Sequence, residues 1–75
     1  MDFGARLREL RQRLNLTQAE LANKLGVSQS YVSDLERGKE KPSDTLLYLI
    51  AALFHVRLEW LIEGKGEVFV DIHEA

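Results

Sequence analysis

Residues 16–42 read LTQAELANKLGVSQSYVSDLERGKEKP, and the spacing of their small and apolar side chains decides the fold. Thr17-Gln18-Ala19-Glu20 is a capping-box pattern: the threonine hydroxyl can satisfy the amide of Glu20 while the glutamate reaches back. A helix therefore opens after Thr17, with Leu21, Ala22 and Leu25 on its apolar side. Gly26 follows at once and can take the left-handed conformation that closes a helix. Ser28 is a fresh N-cap, and Tyr31, Val32 and Leu35 give the next helix its inward face. Two short helices separated by about three residues containing a glycine form a helix-turn-helix. The spacing is demanding. Ala22 is small where the helices must approach, Gly26 stands where the turn needs positive φ, and Val32 and Leu35 return against the first helix of the pair.

The flanks read as helices too. Phe3, Leu7, Leu10 and Leu14 recur at spacings of four, three and four, a single stripe that Asp2 can cap. Arg6, Arg8, Arg11 and Arg13 keep most of the remaining surface of that helix polar. Downstream, Pro42 cannot continue a helix interior, and Ser43 with Asp44 starts a fourth helix. Its apolar face is expected to comprise Leu46, Leu47, Ile50, Leu53 and Phe54. Residues 57–62 predict a short fifth helix anchored by Leu58, Trp60 and Leu61 and closed by Gly64. The expected class is all-α, a compact five-helix domain over residues 1–64. Beyond it lies a C-terminal strand or tail over residues 65–75. In EVFVDIH, residues 67–73, Val68, Val70 and Ile72 alternate with mostly polar residues, which is a strand period. A lone strand finds no partner inside a helical domain, so it should pair with another copy, pair with a different protein, or not form.

At 75 residues and 45% hydrophobic content the chain is one small globular domain. It has no cysteine, which excludes a disulfide framework, a zinc knuckle and a thiol nucleophile. His55 and His73 stand too far apart for a metal site, no Ser/His/Asp set or phosphate-binding glycine loop is present, and catalysis is not expected. No cofactor is implied. The first ten residues, MDFGARLREL, lack the apolar run of a signal peptide, and no stretch approaches the ~18 apolar residues of a membrane span. A cytoplasmic location without a membrane partner is expected. The net charge of −2 speaks against nucleic acid, but it is unevenly placed. Residues 1–41 carry eight basic and six acidic side chains, a balance of +2, whereas residues 42–75 carry two and six, a balance of −4. A phosphate-bearing partner would be met by the first half.

Residues 16–42 resemble the Cro/repressor-type helix-turn-helix family of phage and bacterial transcription regulators. LERGK at 35–39 with Pro42 just after it, and VRLEWLIEG at 56–64, extend the resemblance over roughly residues 3–64. The resemblance implies a DNA-binding transcriptional regulator, expected to be a repressor, with the third helix in the major groove of double-stranded DNA. On that helix Gln29, Ser30, Ser33 and Asp34 point away from Tyr31, Val32 and Leu35. Glutamine can make bidentate hydrogen bonds to adenine, serine serves several base edges, and a carboxylate can accept from cytosine or restrict the sequences tolerated. Gln29, Ser30, Ser33 and Asp34 are thus the expected base readers. The family places a backbone-contacting glutamine at the position of Gln18, where helix-end amides favour an anion. Ser28, Arg37, Lys39 and Lys41 are further candidates for phosphate contact. Arg11 and Glu36 match positions that form an internal ion pair in related domains. Trp60 and Phe54 read as core.

A homodimer on a palindromic operator is the expected working form, with the last helix and the 67–73 segment as candidate dimerisation surfaces. Two other readings use the same fold. One is an antitoxin or protein-interaction module acting through its tail, and the other is a restriction-modification controller protein.

Overall fold

Asp2, Thr17, Ser28 and Ser43 each accept a hydrogen bond on the side chain from the backbone amide three residues on, at 2.9–3.1 Å. These caps satisfy amides that the first turn of a helix leaves without partners. In the computed structural model, which describes residues 2–70, they open α1 (Phe3–Arg13), α2 (Gln18–Leu25), α3 (Gln29–Glu36) and α4 (Asp44–Phe54). A fifth helix, α5 (Leu58–Glu63), starts at Arg57 without a side-chain cap. The capping box is complete, because Glu20 Oε1 accepts from the amide of Thr17 at 2.9 Å. These hydrogen bonds from the Thr17 backbone and side chain hold the Glu20 carboxyl below the usual glutamate range. Gly26 closes α2 with φ 72°, a conformation costly for a residue with a Cβ.

Helix α3 packs on both α1 and α2, and α5 on both α1 and α4. Between them Leu7, Leu10, Leu21, Val32, Leu35, Ile50 and Leu61 lose all contact with solvent. Each such side chain contributes roughly 1.5–3 kcal/mol by leaving water. Trp60 closes the core, and Phe54 packs against it from the side. One residue expected on the inner face of α4 is not there: Leu53 is 44% exposed. It sits in the last turn of α4, a helix whose main packing is against α5.

Arg6 corrects the reading of α1 as polar outside its leucine stripe. It is buried, and its Nε and Nη2 donate to the carbonyls of Leu61 and Ile62 at 2.9 and 2.7 Å. Carbonyls in the last turn of a helix lack intrahelical partners and carry partial negative charge, so a buried guanidinium suits them. Gly64 lies over the same group: a Cβ there would stand 3.3 Å from Nη1 of Arg6.

The tail is corrected as well. Val56 and Phe69 form an antiparallel bridge, with Arg57 N–H donating to Val68 O and Val70 N–H to His55 O, both at 2.8 Å. The expectation that the 67–73 segment has no partner inside the domain therefore fails. Its partner is the three-residue link between α4 and α5, too short to show a strand period. His55 directs that link with φ 57°. Asp71, Ile72 and His73 lie outside the described residues. No helix among the described residues is long and apolar enough to cross a membrane.

Gly4 sets the approach of α1 to α3. A Cβ at this position would fall 2.5 Å from the carbonyl oxygen of Glu36 and 2.6 Å from that of Leu35. Backbone cannot yield as a side chain can. Glycine to alanine within a helix normally stabilises by about 0.5–1 kcal/mol. Here the sign should reverse, with Gly4→Ala losing about 1–3 kcal/mol in urea unfolding as an overpacked contact does.

Candidate nucleic-acid interface

The first residue of α2 and the outer face of α3 converge on one open polar groove of about 400 Å³. Its walls are Gln18, Gln29, Ser30, Ser33, Asp34 and Arg37. The arrangement follows from the helical repeat: Val32 and Leu35 are driven into the core, which turns residues 29, 30, 33 and 34 outward. Tyr31 lies half-buried at the margin, packed on the core. Four residues singled out as base readers thus share a surface, joined there by two of the five singled out for phosphate.

The remaining three stand outside the groove walls. Ser28 caps α3, its hydroxyl oxygen accepting from Tyr31 N–H at 3.1 Å, which leaves its own proton to donate. Lys39 and Lys41 are exposed in the turn after α3. That turn folds back on the helix, since the amides of Lys39 and Glu40 both donate to Asp34 O, at 2.8 and 3.3 Å.

Two acids near the groove are matched by arginines. Asp34 Oδ1 accepts from Nη2 of Arg37, the C-cap of α3 three residues on, at 2.9 Å. The Arg37 side chain is exposed and that of Asp34 is 35% exposed, so the pair adds little to stability, at most about 1 kcal/mol. It does place a guanidinium beside the carboxylate, a pairing that reading the two residues separately does not reveal. Glu36 is far less accessible. Arg11 spans it with Nε to Oε2 at 2.7 Å and Nη2 to Oε1 at 3.1 Å, and Arg11 Nη1 donates to Leu16 O at 3.1 Å. The side chains are 14% and 5% exposed, so the internal ion pair expected from the resemblance is present. The hydrogen bond to Glu36 raises the Arg11 guanidinium above its ordinary value, opposed by burial and aided by the charge of Glu36. Gln18 joins the same carboxylate, with Nε2 donating to Oε1 at 3.2 Å. No spacing rule links residues 18 and 36, so the sequence carries no signal for that bond.

Residues 7–61 match the Helix-turn-helix family. An HTH-type transcriptional regulator of Archaeoglobus fulgidus is 46% identical over 54 residues, which cover 72% of this chain and 77% of that protein. The HTH-type transcriptional regulator ImmR of Bacillus subtilis is 37% identical over 68 residues, covering 91% of this chain and 53% of ImmR. Among solved structures, the P22 c2 repressor in complex with synthetic operator 9T superposes with a TM-score of 0.78 at 28% identity. That match covers 87% of this chain and 98% of the repressor chain.

The Arg11–Glu36 pair should be worth most when one partner is missing. Glu36→Ala leaves a guanidinium largely buried with its main acceptor gone, and about 3 kcal/mol of stability should be lost. Chemical denaturation of Glu36→Ala, Arg11→Ala and the double variant checks this. The double variant should lose less than the two single losses added together.

Proposed function

We propose, from the premise that this chain belongs to the Helix-turn-helix family of DNA-binding transcriptional regulators, that it represses its target by seating α3 in the major groove of a palindromic operator. The observation that carries the reading is the polar groove, which unites the start of α2 with the outer face of α3. Gln29, Ser30 and Ser33 read base edges, with Gln29 suited to adenine. Asp34 accepts from cytosine or excludes other bases at its position. Gln18, Ser28, Arg37, Lys39 and Lys41 hold the phosphates and fix the register of the helix. No catalytic step is needed, since occupancy of the operator in the cytoplasm does the work.

A single domain of this size makes a small footprint, so a second copy supplies both affinity and site length. Two α3 helices would then enter successive major grooves about 34 Å apart. The tail segment supports the pairing. In the Val56–Phe69 bridge the hydrogen bonds are made by the flanking residues, so the N–H and C=O of Phe69 point away from the 55–57 link. That open edge runs beside an apolar groove of about 620 Å³ whose walls include Tyr48, Ala52, Leu58 and Val70. A second copy meeting it across a two-fold axis buries both. The same edge is what an antitoxin-like module would offer to a different protein, and that is the second reading.

Binding to a duplex selected from a random pool, titrated at several salt concentrations, tests the central claim. Steep salt dependence and clear preference over random duplex are expected. A shallow slope without preference would overturn it. Gln29→Ala should cost about 1–3 kcal/mol on the selected duplex and relax its sequence preference. Lys39→Ala should weaken all duplexes alike and reduce the salt slope by about 1. For the dimer, sedimentation equilibrium should show association that Val70→Lys abolishes. A monomer at every concentration with DNA absent and present excludes that arrangement.

A further inference from the structure

Glu36 ends α3, and its side chain is 5% exposed. Arg11 already satisfies it through two bonds, yet Oε1 takes a third donor, Nε2 of Gln18 at 3.2 Å. Gln18 is at once the first residue of α2 and part of the wall of the polar groove. The chemistry of a primary amide connects these facts. Its oxygen and nitrogen ends are nearly alike in size, and its terminal torsion is broad and roughly two-fold. An unrestrained glutamine at a groove presents an acceptor and a donor in turn. A carboxylate beside it removes that freedom, because it offers only lone pairs. The amide must turn its nitrogen inward, since the flipped form sets carbonyl oxygen against carboxylate oxygen.

We infer that Glu36 is a positioning residue for Gln18, fixing the orientation of its amide so that the second N–H of Nε2 is the group offered to a DNA phosphate. The inference rests on the reading of Gln18 as a phosphate contact given above. Arg11 makes the arrangement compatible with DNA, because a phosphate meets a matched pair and not a bare acid. Arg11 also reaches the Leu16 carbonyl, just before α2 begins, so the group that neutralises Glu36 also fixes the backbone from which Gln18 starts.

The test is a double-mutant cycle on binding to the selected duplex, using Gln18→Ala, Glu36→Gln and the two combined. It is run well below the unfolding temperature, with folding confirmed by circular dichroism. Positioning predicts that Glu36→Gln weakens binding by roughly three- to tenfold and costs nothing further once Gln18 is alanine. Losses that multiply overturn the inference, because Glu36 then acts independently of Gln18. If Gln18→Ala leaves binding unchanged, the reading of Gln18 as a phosphate contact fails, and the inference with it. A measurement on the unaltered chain covers a Glu36→Gln variant that does not fold. The side-chain amide protons of Gln18, assigned by their loss in Gln18→Ala, should exchange with water more slowly than those of exposed Gln12. Equal exchange would overturn the inference.

Discussion

Helix α1 crosses the end of α3 with no side chain between them at Gly4, and the presentation of the polar groove on α3 depends on that crossing. Helix α3 is eight residues long, too short to persist on its own propensity. Its position must come from its neighbours. Val32 and Leu35 hold its middle in the core, and Ser28 caps its start. Its last residues lie against Gly4 and are tied to α1 through Arg11 and Glu36. A recognition element has to be held within a fraction of an ångström of productive geometry, and rigid support from outside is how a short helix meets that demand. The contact is backbone on backbone, so it leaves little room for sliding.

The same crossing clarifies how an acidic chain accommodates a polyanion. Glu36 is matched by Arg11, Asp34 by Arg37 and Glu9 by Arg13, each within 3.0 Å. Glu20 is engaged in the capping box. The acids of the first half are largely committed to local partners. Arginines committed in the same way contribute less to a long-range field, and exposed pairs are further screened by salt. Recognition by such a surface depends on contacts made after arrival more than on attraction from a distance.

Local signals in the sequence carried the helices, because the starts of α1 to α4 each have a chemical cause within three residues. Asp2, Thr17, Ser28 and Ser43 cap where their residue types predict, and Gly26 turns where positive φ is required. The outward set on α3 was legible for the same reason, as an outcome of helical period. What stayed hidden involves partners distant in the chain. Arg6 reads as one of four alike arginines until the carbonyls of residues 61 and 62 come to meet it. The partner of the 68–70 segment is a link with no period of its own. Gln18 could be placed by analogy, but its bond to Glu36 joins two helices whose relative placement only the folded chain defines.

The Asp34–Arg37 bond bears on how recognition of this kind diversifies. Two neighbouring positions of the polar groove that share a hydrogen bond do not vary independently. On the proposed reading, loss of the carboxylate at 34 would remove an acceptor suited to cytosine and at the same stroke release the guanidinium that holds a phosphate. One codon change would then alter two chemical demands, one on a base and one on the backbone. On that reading a substitution at 34 shifts base preference and backbone grip together, so operator choice would change by jumps rather than by graded steps.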